Sequence, residues 1–113
     1  AAPFGGMLLS DMGADVIKVE PPAGDPWRAF QPLGMREGRG YISLNRGKRG
    51  VTLDLNAPEA RKIAQELADR SDVVIINYRP DVAAKLGIDY ETMSALNPRL
   101  IYGSISGFGQ SGP

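Results

Sequence analysis

An amphipathic stretch, Ala60 to Ala68, runs after a short polar break into the unbroken apolar tetrapeptide Val73-Val74-Ile75-Ile76, and few folds accept that succession. Ala60, Ile63, Ala64, Leu67 and Ala68 recur at i, i+3, i+4, i+7 spacing, with Arg61, Lys62, Gln65, Glu66 and Asp69 on the other side. This predicts a helix with one narrow inward face. Four consecutive β-branched residues bounded by polar ones fit a strand buried on both faces of a parallel sheet. Its exit carries Asn77, Tyr78 and Arg79, three hydrogen-bonding side chains in a row.

The rest of the chain repeats the alternation. Pro3 to Met12 reads as a short helix closed by Gly13, and Val16 to Glu20 as a strand with Glu20 at its end. Leu44 to Asn56 joins a basic turn, Arg46-Gly47-Lys48-Arg49-Gly50, to a strand in which Val51, Leu53 and Leu55 alternate with Thr52 and Asp54. Asn56 stands where a helix N-cap belongs, with Glu59 three residues on. The basic turn reads either as an anion-docking place or as a solvated surface. Pro80 makes Arg79 extended, Asp81 is placed to cap a helix Val82 to Leu86, and Gly87 closes it. Asp89 caps a second short helix, Tyr90 to Leu96, with Met93 and Leu96 inward. Leu100 to Ser106 is the last strand. Strands alternating with helices predict an α/β fold, a parallel sheet covered on both sides.

Two stretches stand apart. Pro21 to Gly40 carries four prolines and four glycines without a period, a long loop of the sort that is usually functional or mobile. Within it Trp27 and Arg28 form either a stacking surface or an anchor for the loop. Gly107 to Gly112 matches G-x-G-x-x-G, a pattern that marks dinucleotide binding only when a helix opens inside it. Glu20, at a strand's carboxyl end, could accept from a ribose hydroxyl or simply be solvated.

Thirteen Lys and Arg balance thirteen Asp and Glu, which argues against a general nucleic-acid binder. With no Cys and no His, a disulfide framework, a Cys/His zinc site and a Ser-His-Asp triad are excluded within the segment. No apolar run reaches the ~18 residues of a membrane span. The opening Ala1-Ala2-Pro3 and the close at Gly112-Pro113 read as the ends of a segment of a longer protein. The leading helix implies a first strand upstream.

Four phrases in series, GADVIKVEPP, SLNRGKRGVTLDL, SDVVIINYRP and NPRLIYGSISGFGQSGP, resemble the N-terminal part of the family III CoA-transferases, the CaiB/BaiF group. The resemblance covers essentially all 113 residues. It implies that residues 1–113 are part of a Rossmann-like, CoA-binding large domain, in an interlocked cytoplasmic homodimer. The implied reaction moves CoA between an acyl-CoA and a free carboxylic acid through an aspartyl-CoA thioester. CoA and acyl-CoA serve as substrates, with no metal and no permanently bound cofactor. The nucleophilic Asp is expected after Pro113, so no catalytic residue is assigned here. The family's CoA contacts fall on Leu53, Asp54, Leu55, Asn56, Asn77, Tyr78, Arg79 and Lys85. Asn56 stands where the family usually has Lys, Ile76 where it has Glu, and Pro21 where an Arg often follows.

Three other readings compete. A racemase or epimerase of the same family would need a general acid/base pair for α-proton abstraction. An NAD-dependent dehydrogenase would use Glu20 on the ribose. A non-catalytic nucleotide-binding domain would lack the downstream carboxylate.

Overall fold

The computed structural model describes residues 1–30 and 38–111. Two pairs of parallel strands organise them, and the chain divides after Leu53 into two compact units, each holding one pair. The α/β reading holds; the ladders form as β1-β2 and β3-β4, two two-stranded sheets.

The first unit contains α1 (Ala2–Asp11), β1 (Ile17–Glu20), a 3-10 turn (Pro26–Arg28), α2 (Arg39–Asn45) and β2 (Arg49–Thr52). Helix α1 stops where Gly13 takes φ +97°. The Ala14 and Gly13 N–H groups there donate back to the Leu9 and Ser10 carbonyls, both at 3.0 Å, satisfying the last turn as a Schellman closure. Of the apolar face read for this helix, Met7 is buried, while Phe4, Leu8 and Met12 are exposed. Strands β1 and β2 register Ile17 with Arg49 through Glu20 with Thr52. The expected strand from Val51 to Leu55 therefore lies too late. Its partner ends at Glu20 because Pro21 and Pro22 have no N–H to extend a ladder, and a last bond runs from Leu53 N–H to Glu20 O at 2.8 Å. Helix α2 and the 3-10 turn break up the long loop expected from Pro21 to Gly40; residues 31–37 of that loop lie outside the described ones.

The second unit contains α3 (Pro58–Asp69), β3 (Val73–Ile76), α4 (Pro80–Leu86), α5 (Tyr90–Leu96) and β4 (Ile101–Ser104). Its core is Ala68, Ile76, Ala83, Ile88, Met93 and Leu100, with Leu55, Val74, Leu86 and Tyr102 packed on it. Burial of each large member contributes roughly 1.5–3 kcal/mol. Strand β3 is buried only at Ile76, while Val73 is exposed, because within the described residues it has β4 alone as a neighbour. Ile63 falls at the margin of the helical stripe and is exposed. Leu96 is also exposed rather than inward, since Asn97, four residues after Met93, takes the buried position on the same helical face. Asn97 Nδ2 donates to the Asp69 and Ser71 carbonyls at 3.1 and 3.0 Å, and its Oδ1 accepts from Arg99 N–H.

Two expected caps are corrected. Ala57, not Asn56, is the N-cap of α3, because Asp54 Oδ1 accepts from Asn56 N–H and Nδ2, both at 3.0 Å, and holds Asn56 in a turn. Arg79, not Asp81, is the N-cap of α4; Pro80 begins that helix, where its missing N–H costs nothing. Asp89 caps α5 as expected, accepting from Thr92 N–H at 3.0 Å. Gly87 closes α4 at φ +65°, with Ile88 N–H donating to Ala83 O at 3.1 Å.

Gly87→Ala places a Cβ in left-handed backbone, so chemical denaturation should show a loss of about 1–2 kcal/mol. Gly50→Ala, which meets nothing within 4 Å, should be neutral or slightly stabilising. Equal effects of the two would contradict this account of the α4 closure.

Candidate functional site

The carboxyl end of the β3-β4 pair gathers polar groups. Past the ladder, Ile105 N–H donates to Ile76 O and Asn77 Nδ2 donates to Ile105 O, both at 3.0 Å. This clamp fixes where the chain leaves β3. Tyr78 is 40% exposed, so its ring presents a face beside the exit. Arg79 is extended, φ −63° and ψ 146°, as a residue before proline must be. Its Nε donates to Asp81 Oδ1 at 3.1 Å, and Lys85 Nζ lies 4.0 Å from Asp81 Oδ2. Both cations are largely solvent-exposed, so these ion pairs hold them weakly.

The other expected contact segment is the turn that leads into α3. Asp54 O accepts from Ala57 N–H at 2.9 Å, closing the turn around Leu55 and Asn56. The Leu55 side chain packs on the cluster that contains Ile76 and Ala83, the residues that bracket 77–79. The turn and the strand exit thus stand on one apolar base. Leu53 belongs to the first unit, where it is buried. Arg61 was not foreseen. Its Nε donates to Leu55 O at 2.7 Å and its Nη2 to Asn56 O at 3.0 Å. In the sequence it is one more polar residue on the outer side of an amphipathic helix, and only its place one turn behind the capping region distinguishes it.

In the first unit Lys18, Glu20, Asp25 and Arg28 pair with one another and with nearby groups. Glu20 is buried at 6% exposure. Its Oε2 accepts from Arg28 Nε at 2.8 Å and from Asp25 N–H at 2.9 Å, and its Oε1 accepts from Arg28 Nη2 at 2.8 Å and Tyr41 Oη at 2.7 Å. Arg28 also donates to Tyr41 Oη and lies over the Tyr41 ring at 3.8 Å. The Arg28 hydrogen bonds, with those of Tyr41 and Asp25 N–H, outweigh burial and hold Glu20 down at about 2. Burial opposes ionisation of Asp25, yet the Lys18 ammonium at 2.7 Å and Trp27 N–H keep it below the usual range. A ribose would have to displace this network, so Glu20 is a structural carboxylate. Trp27 meets Phe30 edge-on at 5.1 Å, and both rings are about half exposed, so the contact favours neither the stacking nor the anchoring alternative.

The basic turn is paired as well. Arg46 grips Asp11 at 3.1 and 2.5 Å, and Arg49 grips Asp15 at 2.9 and 2.6 Å. Lys48 Nζ donates to Pro3 O, Leu44 O and Asn45 Oδ1 at 2.8, 2.8 and 2.7 Å; burial pushes its pKa down. Lys48 is thus used internally, whereas the Arg46 and Arg49 pairs are solvent-exposed and hold their cations weakly, as the solvated-surface reading of this turn expects. After β4, residues 105–111 form no helix. Gly112, the last residue of the glycine pattern, lies outside the described ones. Among the described residues no acidic cluster is arranged to hold a metal, and no helix is long and apolar enough to cross a membrane.

The family description CoA-transferase family III matches residues 1–113. Succinate–glutarate CoA-transferase of Agrobacterium fabrum is 48% identical over 121 residues, covering 100% of this chain and 30% of that protein. Acetyl-CoA:oxalate CoA-transferase of Acetobacter aceti is 44% identical, covering 98% and 29%. Human succinyl-CoA:glutarate CoA-transferase is 43% identical, covering 100% and 26%. The crystal structure of a CAIB/BAIF family protein from Brucella suis superposes with a TM-score of 0.92 at 45% identity, covering 98% of this chain and 31% of that one. The chain thus spans about 30% of the length of these relatives.

The Glu20 network makes stability depend on acid pH. A carboxyl held at about 2 when folded and near 4.5 when unfolded contributes stability that is fully present above pH 4.5 and is lost as pH falls toward 2. The contribution is roughly 3 kcal/mol at most. Glu20→Gln should lower stability at neutral pH and flatten its decline between pH 4.5 and 2; an unchanged slope in denaturation curves would contradict the assignment.

Proposed function

The chain belongs to CoA-transferase family III, and from that membership we propose that its protein moves CoA from an acyl-CoA to a free carboxylic acid. Residues 1–113 supply part of its CoA-binding half. The observation that carries the reading in this structure is the common base of the 54–57 turn and the 77–79 exit, with Tyr78, Arg79 and Lys85 exposed beside it.

CoA is anionic and carries a flat adenine. Arg79 meets a phosphate with parallel donors, and Lys85 adds a point charge from α4. Tyr78 offers the adenine an aromatic face. Asp54, Leu55, Asn56 and Asn77 complete the contacts through the turn and the strand exit. Asn56 brings an amide rather than a cation, which leaves more of the electrostatic attraction to Arg79 and Lys85.

Chemistry falls to an Asp carboxylate beyond Pro113. It attacks the thioester carbonyl, releasing CoA thiolate and leaving a mixed anhydride. The thiolate attacks the aspartyl carbonyl and expels the first acid. The acceptor carboxylate then displaces CoA from the aspartyl thioester, and thiolate attack on the acceptor's carbonyl frees the Asp. Each difficult substitution is divided into easier ones by the covalent intermediate. An interlocked homodimer and a cytoplasmic location belong to the same proposal and rest on family membership.

Incubating the intact protein with an acyl-CoA and a labelled free acid should yield labelled acyl-CoA. Exchange of the α-proton without exchange of CoA would replace transfer with racemisation. Arg79→Ala and Lys85→Ala should each raise KM for the acyl-CoA about three- to tenfold with little change in kcat, and the difference from the parent should shrink with added salt. KM values unaffected in both variants would remove these residues from the site.

A further inference from the structure

We infer that Arg61 is a positioning residue for the CoA substrate, acting through the backbone of the 54–57 turn. The inference rests on the proposed CoA site.

The turn is short, with Asp54 and Asn56 exposed, and its own bonds are few: Ala57 N–H to Asp54 O at 2.9 Å, and Asn56 N–H and Nδ2 to Asp54 Oδ1, both at 3.0 Å. These fix the amide side of the turn. Its next carbonyls, Leu55 O and Asn56 O, precede α3, whose first residue, Pro58, brings no N–H to close a turn on Leu55 O. Arg61 stands one turn into α3 and reaches back with one edge of its guanidinium, Nε to Leu55 O at 2.7 Å and Nη2 to Asn56 O at 3.0 Å. Its own N–H donates to Ala57 O at 3.2 Å, so the same residue holds three successive carbonyls. The fork is planar and rigid, which matches two neighbouring carbonyls as a single ammonium cannot.

Among the described residues, no carboxylate pairs with Arg61. A cation aimed at neutral carbonyls, half-buried against the turn, orders the backbone from which Asp54, Leu55 and Asn56 project. Holding those groups before the ligand arrives removes an ordering cost from binding. The role thus differs from that of Arg79 and Lys85, whose exposed charges would meet the ligand directly.

Calorimetric titration of the intact protein with CoA tests this, using Arg61→Ala, Arg61→Lys and Arg79→Ala. Both Arg61 variants should bind CoA about tenfold more weakly, and the Asn56 and Ala57 amides should exchange hydrogen faster in both. The Lys variant keeps charge and stem, so it decides the question should Arg61→Ala fail to fold. Restoration of CoA affinity by Lys would overturn the inference, because charge alone would then suffice. Unchanged affinity in the Arg61 variants with weakened affinity in Arg79→Ala would also overturn it while sparing the site. Unchanged affinity in all three would overturn both.

Discussion

Parallel pairing of β3 with β4 is the constraint from which the candidate site follows. Two parallel neighbours end on the same edge, and their connection must travel the length of the sheet and return. In the second unit α4 and α5 make that return, between Ile76 and Ile101. The edge where both strands stop leaves backbone groups beyond the ladder, and buried groups of this kind require partners. Ile105 N–H on Ile76 O and Asn77 Nδ2 on Ile105 O meet the requirement. A side chain from the exit itself thereby closes the sheet, and the two residues after it are left facing solvent.

The distribution of charge follows a related logic. In the first unit each strongly charged side chain of the basic turn has an internal partner, and Glu20 accepts from Arg28, Tyr41 and Asp25 N–H. The buried Glu20 network is costly to open, which suits a scaffold and not a ligand surface. In the second unit Arg79 and Lys85 share Asp81 through exposed contacts that a phosphate could replace at little cost. Arg61 is a third case, a cation applied to carbonyls. Three uses of positive charge, internal pairing, loose surface pairing and backbone clamping, separate framework from contact from positioning.

What the sequence made legible was whatever depends on periodicity and on residues with a single conformational use. The α3 stripe, the Val73–Ile76 strand, Gly13, Gly87 and the Asp89 cap are all of this kind. The boundaries around Leu53 to Asn56 were less legible because alternation continues past the point where the partner strand stops, and Pro21-Pro22, thirty residues earlier, decides that point. Cation roles were hidden for the same reason: Asp11 and Asp15, which neutralise Arg46 and Arg49, are distant in sequence. Helix α2 lacked a period because only Tyr41 of its seven residues is buried. The candidate contacts came from the family resemblance. The structure adds the apolar base shared by two of their segments and the Arg61 fork behind one of them.

The central claim is that a single CoA molecule touches both the 54–56 turn and the 77–79 strand exit. A crystal structure of the intact protein with CoA bound tests it most directly. The account predicts CoA atoms within hydrogen-bonding or van der Waals distance of Asn56 and of Tyr78 and Arg79 in one and the same molecule. CoA seated against neither segment, or against one while the other faces bulk solvent, would contradict it.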